Sequence, residues 1–417
     1  MINNPGVVEA PCDVKNLIGV KYLTAEQYWV LNQSQSLLWI NGPAGSGKTI
    51  LMCAKILQLV KFSKDNKVVL FTMQDNCPRT YETVFKNAHV RYRDMDYVTF
   101  APTNLKVLLE EVSRSEETQV LIVNLWDLIN VKNMITMLSM ITKSFHAFFD
   151  DIHIELLNGT DEEYSAFVDK ILELSLDRIV WLACDMVQAW IHLETANINN
   201  FTNAVTSRIS SADMVTLSMN LRNTCDLSAI LSVIWERYIQ LFGNNLTTVF
   251  PKQLPGHFIH GPRTKVHIVD RYDIGIISNV IKEELNKLSD CDGMLTGSNI
   301  GIVHDGIDYT DRVFLRLNQI AKEQSSDPQN MISCCRWPFS YSGEWPAVIA
   351  VSKILEKHFD IRTSLTKLYL MISRARVYCS IVFYPTKGSE VSFNLLDKLK
   401  DHVHIVRHQS TVYLMHK

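Results

Sequence analysis

The 417-residue sequence contains no apolar run approaching the roughly 18 residues that a membrane-spanning helix requires. Its most apolar stretches are broken by Asp127, Lys132 or Asp185, so no membrane association is expected. It also has no excess charge of either sign, since 41 Lys and Arg stand against 44 Asp and Glu for a formal net charge of −3. No global basic field marks the chain, although a local basic channel is compatible with that balance. Cysteine is sparse and unpatterned: nine residues, an odd number, with no C-x-x-C pair. That excludes a disulfide scaffold, and the adjacent Cys334 and Cys335 are poorly spaced for a shared metal. The thiols read as reduced packing residues of a cytoplasmic or nuclear protein. The opening Met1-Ile2-Asn3-Asn4-Pro5-Gly6 lacks the charged-then-apolar pattern of a secretory signal. Short repeats and low-complexity linkers are absent as well, which removes collagen and coiled-coil architectures.

What is present is a globular composition, 47% hydrophobic and 20% charged, at a length that exceeds one typical core. Short apolar runs alternate with helix-period segments along the whole chain. In the first half the runs are 36–40, 67–72, 119–124, 145–149 and 178–183. In the second half they are 215–219, 266–269, 300–303, 347–351 and 378–384. Strands buried on both faces read as continuous apolar runs, so the pattern predicts an α/β fold with parallel sheets. A boundary after Ser210-Ser211 divides it into domains of 1–212 and 213–417.

The segment Gly42-Pro43-Ala44-Gly45-Ser46-Gly47-Lys48-Thr49 is a complete G-x-x-x-x-G-K-T. It follows the strand-like Leu37-Leu38-Trp39-Ile40 and opens a helix-period run to Val60. A chance glycine loop would lack that flanking context. The glycines let backbone N–H groups turn inward around phosphates, and the helix N-terminus adds its positive end. Lys48 would reach the β- and γ-phosphates, and the Thr49 hydroxyl would ligate Mg²⁺.

Such a loop needs a carboxylate from a neighbouring strand to hold magnesium and a base to orient water. The run Phe145-His146-Ala147-Phe148-Phe149 delivers Asp150-Asp151 at its end. Asp150 is assigned to the metal side and Asp151 to the water. The pair Glu162-Glu163 has no strand before it and is set aside.

In order along the chain, these motifs resemble the superfamily 1 helicases over nearly the whole sequence. Leu23-Thr24-Ala25-Glu26-Gln27 is similar to the Q motif, which implies that Gln27 contacts adenine. The segments 67–72 and 97–100 resemble motifs Ia and Ib, and Asp150-Asp151-Ile152-His153 takes the place of the D-E-x-Q or D-E-x-H box. Trp181–Gln188 resembles motif III, implying Gln188 as a γ-phosphate sensor. Leu217–Asn223 resembles motif IV and Leu368–Arg376 motif VI, which implies that Arg222 and Arg374 approach the γ-phosphate. Ser342–Ile349 resembles the G-L-E-W segment of motif V, with Glu344 on the nucleotide side. Within the superfamily the similarity is to UvrD-like proteins and the schlafen helicase-like domain. Asp151 stands where glutamate is usual, Cys184 where motif III has glycine, and Ser342 where motif V has glycine. The stretches between Thr72 and Asp150 and between Arg222 and Glu344 leave no room for large accessory domains.

The resemblance implies two tandem RecA-like P-loop NTPase domains with ATP and Mg²⁺ in the cleft between them, and a single strand of DNA or RNA across their top. Thr72, Thr99 and Trp190 are the strand contacts by position, although Trp190 reads more readily as a core residue. Arg91 and Arg93 read chiefly as a solvated face. Two functions stay open: a helicase- or translocase-like ATPase, and a regulatory ATP-binding sensor that signals to a protein partner without unwinding. The first is the expectation; the altered motifs, the balanced charge and the missing accessory domains support the second as the alternative.

Overall fold

The computed structural model describes residues 7–9, 22–72, 77–95, 102–124, 130–142, 144–151, 159–185, 195–242, 254–256, 258–289, 297–306, 310–325, 331–336, 343–353, 361–385 and 396–408. The chain divides into two compact units, Met1–Met219 with Leu246–Pro251, and Asn220–Asn245 with Lys252–Lys417. Among the described residues no helix is long and apolar enough to cross a membrane.

In the first unit, β1 (Val7–Glu9) and β2 (Tyr22–Thr24) form a small antiparallel pair. The main sheet comprises β3 (Leu37–Asn41), β4 (Lys67–Thr72), β5 (Tyr92–Met95), β6 (Val120–Asn124), β7 (Phe145–Asp150), β8 (Val180–Cys184) and β9 (Met214–Thr216). Their order is β5-β6-β4-β7-β8-β3-β9, and every pairing is parallel. The central strands β3, β4 and β8 are buried at every position, which is why their sequences are unbroken apolar runs. Of the run at 215–219, expected to open the second half, Val215 and Thr216 lie in the edge strand β9, paired with β3, and Met219 begins the short strand Met219–Asn220. Helix Lys48–Phe62 lays Leu51, Met52, Ile56 and Leu57 against Leu38, Ile40, Leu70, Phe148 and Trp181. Each such side chain contributes about 1.5–3 kcal/mol on burial. The set-aside Glu162-Glu163 lies in the first turn of helix Asp161–Ser175, where Glu163 completes a capping box with Thr160.

In the second unit, β10 (Met219–Asn220) and β11 (Leu254–Pro255) form a short two-stranded sheet. The main sheet is built from β12 (Thr264–Val269), β13 (Ile300–His304), β14 (Ser333–Arg336), β15 (Trp345–Ser352), β16 (Ala375–Phe383) and β17 (Val403–His408). It too is parallel throughout, in the order β14-β13-β15-β16-β12-β17. Helices Ile274–Ser289 and Arg312–Glu323 cover one face through Ile277, Ile281, Leu285, Leu317 and Ile320. The α/β class and the parallel sheets expected from the apolar runs are both present. Three strands without such a run, β5, β14 and β17, lie at sheet edges, where one side of the backbone ladder has no strand partner among the described residues and the sequence need not be wholly apolar.

Candidate nucleotide site

Two strand ends and a helix N-terminus build the site in the first unit. Gly47 caps helix Lys48–Phe62 in the left-handed conformation (φ 86°) with no side-chain cap bond, which leaves the first-turn N–H groups uncapped by a side chain. Gly45 is also left-handed (φ 82°). A Cβ at Gly42 would stand 2.5 Å from Ser46 Oγ and 3.2 Å from Leu217 Cβ and O, so a larger residue there requires its neighbours to shift. The loop is tied to β8 by Gly42 N–H donating to Cys184 O (3.2 Å). Lys48 is buried, and its Nζ folds back to donate to Gly42 O (2.8 Å) and Pro43 O (3.1 Å). At the helix's far side Lys55 Nζ donates to Gln33 O (2.9 Å) and sits 5.0 Å over the Trp181 ring.

Asp150 closes β7 and is completely buried. It does not come from the strand next to β3, as expected, because β8 lies between β3 and β7. The P-loop helix bridges the gap: its Thr49 Oγ1 donates to Asp150 Oδ2 (2.8 Å), and the Tyr81 hydroxyl donates to the same oxygen (2.8 Å). Burial, and next the charge of Asp151, push the Asp150 carboxyl up to about 6, against the lowering effect of Thr49, Tyr81 and Lys48. Asp151 is half-buried with φ 58°, a left-handed conformation that aspartate tolerates better than most residues. A hydroxyl and a carboxylate meeting beside a helix N-terminus that no side chain caps are hard oxygen donors next to an anion cradle. They fit a magnesium–nucleotide, with Thr49 and Asp150 on the metal side.

Gln27 is buried and engaged by protein on both sides of its amide. Nε2 donates to Ser46 O (2.9 Å), and Oε1 accepts from Thr24 N–H (3.0 Å) in a capping box. Its neighbour Glu26 accepts from the Ser218 N–H (3.1 Å) and hydroxyl (2.7 Å), so the Q-like segment braces both the loop and the chain after β9. Thr72 is fully buried at the end of β4, in register with Asp150. Arg93 lies on the edge strand β5 and pairs with Glu111 (2.8 Å), both well exposed. Gln188, Thr99 and Trp190 lie outside the described residues, as does His153.

The second unit gathers its own cluster. Arg222 is ion-paired with Glu344 through Nη2, and its Nη1 donates to Ser373 O (3.3 Å). Arg376 donates to Glu344 Oε2 from Nη2 (3.0 Å) and Nε (3.3 Å). Arg374 is buried at the turn between helix Ile361–Ser373 and β16. Burial alone would raise the Glu344 carboxyl, but Arg222, then Arg374 and Arg376, outweigh it and hold the group below the usual carboxylate range. Asn220 Oδ1 accepts from the N–H groups of Arg222 (3.0 Å) and Asn223 (3.1 Å), while Asn223 Nδ2 donates to Ala375 O. Two asparagines thus pin the Arg222 turn to the Arg374 turn.

Sequence reasoning missed Tyr81, Glu26, Arg376 and the asparagine pair. Asn-x-x-Asn is a turn signature that could have been read. Tyr81 carries no signal, because its partner lies 69 positions away. Among the described residues no group of His, Cys, Asp and Glu forms a separate metal cluster. Of the cysteines, Cys53, Cys184, Cys225, Cys334, Cys335 and Cys379 are free thiols.

Residues 22–136 match the family described as Nephrocystin 3, N-terminal, a stretch that includes the P-loop and β6. No curated protein matches the chain. Among solved structures, the helicase MrfA bound to DNA is similar over 92% of this chain at 9% identity and a TM-score of 0.52. The matched region spans 49% of MrfA, so this chain corresponds to about half of that protein. Other similar structures are a variant of S. cerevisiae Dbp5 bound to Gle1 and IP6 and the arterivirus nonstructural protein 10 helicase. Dbp5 is 13% identical, with 97% of this chain and 93% of that one covered and a TM-score of 0.49. For the arteriviral helicase the values are 12%, 93%, 66% and 0.43. At these identities the likeness to MrfA is one of fold, and the fold is helicase-like: two parallel α/β units of the RecA kind.

Proposed function

We propose that the chain is an ATPase of the superfamily 1 helicase kind, akin to UvrD-like and schlafen helicase-like domains, that acts on single-stranded DNA or RNA in the cytoplasm or nucleus. The observation that carries the reading is the meeting of Thr49 with Asp150 beside the uncapped P-loop helix. Lys48 and the loop N–H groups hold the phosphates. Thr49 and Asp150 hold magnesium, which when bound neutralises phosphate charge. Asp151 orients the attacking water. Arg222 and Arg374 supply positive charge to the γ-phosphate, and Glu344 fixes the direction of the Arg222 guanidinium.

One observation favours the sensor reading as a second. Arg222 and Arg376 already share the Glu344 carboxylate, so a nucleotide must compete with that internal anion before the arginines are recruited. A protein partner could read that exchange without any unwinding.

Steady-state ATP turnover with and without single-stranded DNA or RNA, at about 50 mM salt, tests the proposal. Turnover that rises with a polynucleotide supports the ATPase acting on a strand. Nucleotide binding with turnover indifferent to every polynucleotide supports the sensor.

A further inference from the structure

Tyr81 sits in helix Cys77–Asn87, the first helix after β4, and its side chain is completely buried. A buried tyrosine hydroxyl needs a hydrogen-bond partner, and most find a backbone carbonyl or water. This one donates to a carboxylate that is itself buried, at Asp150 Oδ2, the oxygen that also accepts from Thr49. A carboxylate oxygen offers about two acceptor positions, and Thr49 and Tyr81 provide two donors to this one. Hydrogen bonds to an ionised group are stronger and shorter than neutral ones, so the pair sets the rotation of the carboxylate.

The tyrosine is held in turn by the core around its ring. Its ring packs on Phe85 (5.9 Å between centroids), and Phe85 packs on Tyr92 of β5 (6.1 Å). Tyr81 and Phe85 belong to the core cluster that also includes Val68 and Leu70 of β4 and Phe148 of β7. The hydroxyl therefore reaches Asp150 from a rigid support and not from a loose surface chain.

We propose that Tyr81 is the positioning residue of the magnesium-side carboxylate: it orients Asp150, and with it the Thr49 hydroxyl, for the metal that accompanies the nucleotide. The inference rests on the nucleotide-site reading above. Tyr81 touches neither nucleotide nor reacting atoms in this role; it acts through Asp150. The alternative is that the hydroxyl is a satisfied core group whose only effect is on stability.

The two roles separate in binding measurements on the full chain. ADP affinity is measured by titration calorimetry across a magnesium series and again in EDTA, for the parent and for Tyr81→Phe. Thermal melting of both is recorded without nucleotide. Tyr81→Phe keeps the ring and removes one donor. The expected result is a magnesium midpoint about tenfold higher, in line with the loss of one charge-assisted hydrogen bond, with ADP affinity in EDTA unchanged within about twofold. A folded Tyr81→Phe protein whose magnesium midpoint stays within about twofold of the parent overturns the proposal, whatever its melting temperature. Incorporation of 3-fluorotyrosine at position 81, which keeps both ring and donor, is expected to restore the parental midpoint. A shift there as large as that of Tyr81→Phe also overturns it and covers the case in which the phenylalanine variant does not fold. A parent that shows no magnesium-dependent ADP binding overturns the nucleotide reading itself, and this inference with it.

Discussion

Thr49 and Asp150 are 101 positions apart and belong to elements flanking non-adjacent strands, yet the threonine hydroxyl donates to the carboxylate at 2.8 Å. β8 separates their strands, and neighbouring strands lie about 4.8 Å apart, so a direct reach from the end of β3 would fail. Helix Lys48–Phe62 packs against both β7 and β8, which carries its first turn over the intervening strand. The geometry of the site is therefore a property of the sheet order.

Asp151→Asn is expected to bind MgATP like the parent and to hydrolyse it about 10²–10⁴-fold more slowly. Asparagine accepts the left-handed backbone found there, so the variant should melt close to the parent. Single-turnover hydrolysis beside an equilibrium binding curve checks both halves.

Arg374→Ala is expected to keep ATP affinity within a few-fold and to lose most of the turnover, on the order of 10³-fold or more. Because Arg374 is buried and one of three arginines acting on Glu344, the melting temperature should fall too. A melting curve must show a folded variant before its rate is read. Turnover equal to the parent would remove this arginine from the site.

Polynucleotide stimulation of turnover, where it occurs, is expected to weaken as salt rises from about 50 to 200 mM, because phosphate contacts release counterions on binding. An apparent affinity for single strands that is independent of salt would contradict backbone recognition.

His146 gives a pH dependence of stability. Burial, and next the charge of Arg178, lower its pKa from 6.5 to about 4, and its Nδ1 accepts from the Ile179 N–H (3.1 Å). Between those values the unfolded chain binds the extra proton and the folded one does not. This group's stabilisation is therefore complete above pH 6.5 and is lost as pH falls toward 4. His146→Asn keeps an acceptor and removes the titration. The parent's urea midpoint should drop more steeply than the variant's across that window, and parallel curves would refute the assignment.

Much of this molecule was readable from sequence wherever the determinant is local. The P-loop declares itself because strand, glycines and helix are contiguous, and Asp150 because it ends an apolar run. Arg222 and Arg374 were reached through resemblance alone; nothing local announces that Glu344 would join them. Strands β5, β14 and β17 escaped because edge strands lack the unbroken apolar signature. Tyr81 escaped for a different reason: at helical spacing in an amphipathic helix it reads as ordinary core, and only the tertiary fold brings its hydroxyl to Asp150.

The central claim, that the Lys48 loop with Thr49 and Asp150 is a magnesium–nucleotide site, is tested most directly by equilibrium binding of MgATP to the parent and to Lys48→Ala. Lys48 Nζ makes two backbone hydrogen bonds within its own loop, so the variant should stay folded with a small loss of melting temperature. The account predicts saturable binding by the parent and an affinity at least about a hundredfold weaker for the variant, the equivalent of about 2.7 kcal/mol. Equal MgATP binding by a folded Lys48→Ala protein would contradict it.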